Sequence, residues 1–147
     1  MCRLYTCEVG ISLKVGGTMA TEFSFSDAPL SANELCELYG SVKDQRARNE
    51  GMLLGAWENS HPRTAARVEG RLAGLARGIT DKQTTLYICD LLVHPDFQGQ
   101  GLAAELIRRL CEPFEDIYQT VLMTDPETIP FYEKLGFFHW PSGCMKM

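Results

Sequence analysis

Residues 84–110, TTLYICDLLVHPDFQGQGLAAELIRRL, constrain this chain more than any other stretch. Residues 84–93 are rich in β-formers and nearly apolar, Asp90 alone excepted, which predicts a central strand. Leu102, Leu106 and Leu110 follow at i, i+4 and i+8, with Ala103 and Ile107 beside them, which predicts an amphipathic helix ending at Pro113. Between the two lies HPDFQGQG, a loop carrying Pro95, Gly99 and Gly101. An apolar strand, a glycine turn and an amphipathic helix in that order form one unit of an α/β sheet.

The flanking segments agree with that frame. Ser31-Ala-Asn-Glu34 is a capping box, in which the hydroxyl and the carboxylate satisfy opposite backbone donors; Leu35, Leu38, Tyr39 and Val42 then recur at helical spacing. A second helix is expected over about 45–57, with Ala47, Leu53, Leu54 and Trp57 on its apolar side. Residues 64–68 and 71–79 read as strands around Glu69-Gly70, a two-residue hairpin turn. Residues 119–123 read as another strand, and Pro126 to Leu135 as a short helix stopped by Gly136. Phe137–Trp140 and Cys144–Met147 are expected to close the fold as strands around a Pro141-Ser-Gly turn. The order α-α-β-β-β-α-β-α-β-β describes an α/β protein with a mixed sheet, and no internal repeat or low-complexity tract interrupts it.

The 147 residues fit one domain, and 45% hydrophobic with 22% charged residues excludes a disordered tail, a fibre or a disulfide knot. No apolar run of about 18 residues occurs, so no membrane partner is expected. A net charge of −5 argues against a general nucleic-acid role. Residues 1–80 carry nine bases and nine acids, whereas residues 81–147 carry five and ten, so the acidic excess lies in the second half, where it favours cationic small molecules. Cys2, Cys7, Cys36, Cys89, Cys111 and Cys144 form no Cys-x-x-Cys pair, and His61, His94 and His139 stand at no metal-ligand spacing to them. No metal is therefore expected, and reduced thiols fit a cytoplasmic protein. Residues 1–18 lack the apolar core and cleavage site of a signal peptide and read as a loose extension, with Met19 an alternative start and 19–147 the domain.

Chemistry concentrates at Gln98-Gly99-Gln100-Gly101-Leu102-Ala103. Glycines let the backbone turn sharply, and the unpaired N–H groups and dipole of a helix start attract an anion such as pyrophosphate. Two familiar phosphate loops fit poorly. No Gly-Lys-Ser/Thr occurs, as the Walker loop requires, and the three glycines and downstream acid of the dinucleotide fingerprint are missing.

LLVHPDFQGQGLAAELIRRL resembles the acyl-CoA loop of the GNAT superfamily of acetyltransferases, whose pattern Arg/Gln-x-x-Gly-x-Gly/Ala reads here at Gln98, Gly101 and Ala103. PFYEKLGF, Pro130 to Phe137, resembles the second family motif, about 30 residues downstream where the family places it. The two motifs cover roughly residues 84–138, and the preceding α-α-β-β order also matches. The resemblance implies a single domain with a central mixed, mostly antiparallel sheet flanked by helices. It implies transfer of an acetyl group from acetyl-CoA to a primary amine by direct attack in a ternary complex. Leu91, Leu92 and Val93 would pair their backbone with the pantetheine arm as with an added strand, and Gln98, Gly99, Gln100, Gly101, Leu102 and Ala103 would hold the pyrophosphate through N–H groups. Phe131 and Lys134 join this cofactor set. Relatives often carry Arg or Lys within the loop; both 98 and 100 are Gln here, and Lys134 is the preferred substitute over Arg108 and Arg109, which read as solvent-directed.

Tyr132 matches the family's general acid. A phenol at about 10 lies close enough to a Cys-like thiol at about 8.5 to protonate the departing sulfur, a task worth about 10²–10⁴-fold. The base is open. Asp90 is the strand's only carboxylate, where many relatives use Glu, and it reads either as base or amine anchor or as one end of a structural hydrogen bond. His94 is a further candidate by its intrinsic pKa of about 6.5. Asp125 stands where many relatives have Asn. The implied partners are a small-molecule or peptide amine and a second copy of the chain, with Phe137, Phe138 and Trp140 offering an apolar contact. A competing reading is a degenerate acyl-CoA-binding sensor or interaction module, which the missing Glu favours and the retained Tyr132 opposes. Reactivity at Cys89 or Cys144 is disfavoured, because Asp90 beside Cys89 raises the thiol's pKa.

Overall fold

Each apolar pattern meets a partner layer in the computed structural model, which describes residues 11–13, 21–141 and 145–146. Six strands form one sheet in which spatial order repeats sequence order: β1 (Ile11–Leu13), β2 (Thr21–Ser26), β3 (Arg63–Val68), β4 (Arg71–Thr80), β5 (Thr85–Val93) and β6 (Gln119–Leu122). Neighbours are antiparallel except β5 and β6, which are parallel. The β3–β4 turn forms because Glu69 and Gly70 adopt φ of 49° and 79°, the paired left-handed residues of a primed hairpin turn.

Helices cover both sheet faces. The Ser31 capping box opens α1 (Ala32–Ser41): the Glu34 N–H donates to Ser31 Oγ at 3.3 Å, and the Ser31 N–H donates to Glu34 Oε2 at 2.9 Å. Leu35, Leu38 and Tyr39 of α1 and Leu53 and Trp57 of α2 (Glu50–Glu58) pack on Ala65, Leu72 and Leu75 of the sheet. On the opposite face, Leu102, Leu106, Ile107 and Leu110 of α3 (Leu102–Cys111) pack on Phe23, Phe25, Ala66, Ala73, Ala76, Ile88 and Val93. Gly74 of β4 leaves no room for a side chain. A Cβ there would lie 2.7 Å from the Leu92 carbonyl oxygen and 3.2 Å from Leu106 Cδ1.

Several expectations are corrected. The helix expected over 45–57 is split: a 3₁₀ turn, Gln45–Arg48, ends at Asn49, whose side chain accepts from the Met52 N–H at 3.1 Å and starts α2 afresh. Thr21–Ser26, for which no element is expected above, is a strand with Phe23 and Phe25 inward and Glu22 and Ser24 outward. Within the stretch read as a loose extension, Ile11–Leu13 pairs with β2; residues 1–10 and 14–20 lie outside the described residues. The helix from Pro126 divides into a 3₁₀ turn, Pro126–Thr128, and α4 (Ile129–Glu133). Phe137–Trp140 is not a strand. The Phe137 N–H donates back to the Tyr132 carbonyl at 3.1 Å, which turns this segment toward α4 and leaves Phe138 and Trp140 exposed. The second closing strand, Cys144–Met147, falls partly outside the described residues. No helix among the described residues is long and apolar enough to cross a membrane.

Candidate active site

The parallel pairing of β5 and β6 runs from Thr85↔Gln119 to Ile88↔Leu122 and stops, while β5 continues to Val93. Past Ile88 the β6-side edge of β5 is therefore open. A bulge marks the same place: Arg77 lies opposite Asp90 and Gly78 opposite Ile88, so Cys89 is an extra residue on β5. The His94 N–H donates to the Ala73 carbonyl at 2.8 Å, toward β4. By strand alternation Leu92 faces β4 as well, and Leu91 and Val93 direct their N–H and C=O groups into the wedge. The Val93 carbonyl is already in use, accepting from the Gln98 side-chain amide at 3.0 Å. Three wedge-facing groups are left: Leu91 N–H, Leu91 C=O and Val93 N–H.

The wedge leads without a break into the glycine loop. After a 3₁₀ turn, Pro95–Phe97, the chain passes Gly99 and Gly101 at φ of 74° and 79°, and Gly101 caps α3 with no side-chain hydrogen bond. The first helical N–H groups, those of Leu102 and Ala103 among them, thus point outward from a helix start of positive potential. Gln100 is half-buried and carries no charge. Of the nearby cations, Arg108 is paired with Glu105 and Glu112. Arg109 corrects its expected solvent position: it bonds Glu105 at 2.7 Å and lies over the Phe25 ring at 4.1 Å. Lys134, exposed at the end of α4, makes no ion pair among the described residues.

Tyr132 of α4 is half-buried between Phe131 and Phe137, with edge-on ring contacts at 5.0 and 5.7 Å. It lines a cleft of about 490 Å³ along the end of β6, together with Leu122, Thr124, Ile129, Phe137 and Trp140. Burial pushes its hydroxyl above the usual tyrosine range, and a hydrogen bond with Thr124 pulls the other way. The phenol therefore keeps its proton at neutral pH.

Asp90 is 7% exposed and fully engaged. Arg77 Nε donates to its Oδ2 at 2.6 Å, the Tyr39 hydroxyl donates to the same oxygen at 2.9 Å, and Arg46 Nη2 donates to Oδ1 at 2.8 Å. Arg46 is held in turn by Asp44 at 2.7 Å and lies over the Tyr39 ring at 5.1 Å. Burial, and then the Asp90 charge, push the Tyr39 hydroxyl up, so it stays a donor. Burial works against the Arg77 charge, but Asp90 and Tyr39 more than offset it. Sequence reasoning missed all three partners. Tyr39 looked like one more apolar position of α1, and the available signal was that Arg77 interrupts LAGLARGI opposite the place where Asp90 interrupts β5.

The remaining candidates are accounted for locally. His94 Nδ1 lies 3.2 Å from the Asp96 backbone nitrogen and Nε2 lies 2.9 Å from Arg71 Nη2; both neighbours are donors, so the ring accepts from one of them according to its tautomer, and it is occupied locally in either case. Burial first, then Asp90, raise the Cys89 thiol against the pull of Arg77 and Arg46, which keeps it protonated. Asp125 precedes the Pro126–Thr128 turn with no side-chain capping bond. Among the described residues no group of three or more His, Cys, Asp or Glu side chains is placed to hold a metal ion.

Comparison with known proteins adds four findings. A family model described as the Acetyltransferase (GNAT) family matches residues 30–137. An uncharacterized N-acetyltransferase, ycf52, of Gracilaria tenuistipitata var. liui is 40% identical over 78 residues, which are 52% of this chain and 43% of that protein. Its counterpart in Pyropia yezoensis is 28% identical over 143 residues, 86% of this chain and 79% of the relative. The chain thus spans under half of the Gracilaria protein. In fold, a probable acetyltransferase from Staphylococcus aureus superposes with a TM-score of 0.77 at 19% identity, covering 85% of this chain and 98% of its own.

Proposed function

The chain belongs to the Acetyltransferase (GNAT) family, and on that premise we propose that it transfers an acetyl group from acetyl-CoA to a primary amine of a small molecule or peptide. One observation carries the proposal: the wedge beyond Ile88, the glycine loop and the uncapped start of α3 form one continuous track. An extended arm ending in a pyrophosphate fits such a track. Leu91 and Val93 offer it backbone partners, and residues 99–103 offer N–H groups and a helix dipole in place of cationic side chains, the Gln98 N–H being engaged already by the Pro95 carbonyl at 3.3 Å.

Bound acetyl-CoA would supply an activated acyl group as a thioester. In the transfer the amine nitrogen, in its neutral form, bonds to the acetyl carbon and gives up one proton to solvent, the carbon–sulfur bond breaks, and the sulfur leaves as a thiolate that needs a proton. Tyr132 holds that proton at its hydroxyl. Its raised pKa widens the gap to a thiol at about 8.5, at about 1.4 kcal/mol per unit, so the proton moves only as sulfur develops full negative charge. Holding both reactants in one cleft contributes the rest through proximity.

The test begins with a thermal melt of the protein alone and with acetyl-CoA, using NAD and ATP as controls. Saturation at about 100 times the dissociation constant adds about 2.7 kcal/mol, which raises the midpoint by roughly 5–10 °C. Thiol release is then followed across a panel of amines. Tyr132→Phe is expected to keep the acetyl-CoA shift and to lower kcat about 10²–10³-fold. A midpoint indifferent to acetyl-CoA overturns the cofactor assignment, and a full-rate Tyr132→Phe enzyme overturns the acid. A second reading, an acyl-CoA-binding module without turnover, draws on the engagement of the strand's carboxylate by three donors. It would show as a melt shift with no thiol release from any amine.

A further inference from the structure

Asp90 stands at the bulge, where β5 leaves β6, and ties together four parts of the chain. It joins its own strand to β4 through Arg77, to α1 through Tyr39, and to the Gln45–Arg48 turn through Arg46, across separations of 13, 51 and 44 residues. To act as a base it would have to release a donor from a buried ion pair, since each oxygen already accepts from a guanidinium. The next residue, Leu91, presents the first wedge-facing N–H beyond the bulge. We propose that Asp90 is a positioning residue: by anchoring the bulge on three sides it aims the Leu91 N–H into the wedge, where that donor meets the negative charge developing on the thioester carbonyl oxygen.

A bulge frees one residue from the ladder and would otherwise leave the local backbone loose. Donors that stabilise such charge act through preorganisation, and a displacement of about 1 Å costs about 10²-fold. The three-way tie supplies that preorganisation from the α1 face, and it leaves the opposite face, with α3 and Tyr132, to the cofactor. The proposal rests on the acetyl-transfer reading above.

The experiment compares Tyr39→Phe, Arg46→Gln and Asp90→Asn with the unaltered protein. Amide hydrogen exchange at Leu91, the acetyl-CoA melt shift, kcat and KM for an amine found by thiol release, and the pH profile of kcat are all read. Tyr39→Phe and Arg46→Gln are each expected to quicken Leu91 exchange and lower kcat about tenfold, with acceptor KM and acetyl-CoA affinity within about twofold. Asp90→Asn is expected to lose about 10²-fold in kcat with the pH profile unchanged in shape; if it does not fold, the other two carry the test. Full kcat in both Tyr39→Phe and Arg46→Gln overturns the proposal in favour of a network that only holds the fold. Loss of the rising limb of the pH profile in Asp90→Asn, with Tyr39→Phe at full rate, overturns it in favour of a base. An unaltered protein that neither shifts with acetyl-CoA nor releases thiol overturns the acetyl-transfer reading itself, and this inference with it.

Discussion

Gly74→Ala tests how tightly β4 is packed against β5 beside the wedge. The added methyl would lie 2.7 Å from the Leu92 carbonyl oxygen, a backbone atom, and 3.2 Å from Leu106 Cδ1. Leu106 is buried in the α3 layer, so its side chain has little room to retreat, and the Leu92 backbone must move instead. Overpacking of this kind costs about 1–3 kcal/mol. At about 2–4 °C per kcal/mol for a chain of this size, the melting midpoint is expected to fall by roughly 2–12 °C. Because Leu92 lies between the two residues that face the wedge, acetyl-CoA affinity should weaken in the same variant. Gly55→Ala in α2 is the matched control, since nothing lies within 4 Å of its Cβ position. Relief of the glycine penalty in a helix should stabilise it by about 0.5–1 kcal/mol. Differential scanning calorimetry of both variants decides the matter. A Gly74→Ala protein that melts at or above the parent's midpoint would falsify the reasoning, because the close approach would then be absent.

Three further outcomes are expected. The hydrogen bond from Arg67, helped by Ser31, holds the Glu34 carboxyl at about 2 instead of 4.5. The stability it contributes is full above pH 4.5 and is lost as pH falls toward 2, so Glu34→Gln should flatten the acid limb of a melting-midpoint profile; parallel curves would refute this. Arg109→Ala removes a cation–π contact and an ion pair at a half-buried position and should cost about 1–2 kcal/mol in urea unfolding, against under about 0.5 for the exposed Arg108→Ala. Equal losses would contradict the packing of Arg109 on Phe25. Gly101→Ala places a side chain at φ of 79° at a strain of about 1–2 kcal/mol. If the loop relieves that strain by moving, the dissociation constant for acetyl-CoA rises by about tenfold in calorimetric titration, and unchanged affinity would separate the loop from the ligand.

The legible parts of the fold share one property: their signals are local. The capping box at Ser31, the Glu69-Gly70 turn, the leucine stripe of α3 and the glycine loop each lie within a few residues and appear as read. The strand at Thr21–Ser26 was also legible, since Phe23 and Phe25 alternate with Glu and Ser, but two aromatics in a polar stretch make a faint pattern. Asn49 hid its role because an N-cap inside an amphipathic run looks like one more surface residue. The site divides the same way. Its proposed cofactor track is nearly continuous in sequence from Leu91 to Ala103, whereas the partners of Asp90 come from three separate elements, which no spacing rule connects. An aromatic run from Phe137 ahead of a Pro141-Ser-Gly turn suggests a closing strand, but the Phe137 N–H donates to the Tyr132 carbonyl and the segment turns elsewhere.

The match between spatial and sequential strand order bears on how the molecule is made. As the chain leaves the ribosome N-terminus first, each strand from β2 to β5 finds its edge already synthesised and can add to a growing meander. Two joints among the described residues wait for helices: β3 meets β2 only after α1 and α2, and β6 meets β5 only after α3 has crossed over the sheet. Contacts that need such a loop closure form late. Of these two, the β6 joint involves the strand made last, so a nascent chain acquires the wedge, and with it the proposed cofactor track, only after residues 119–122 have emerged.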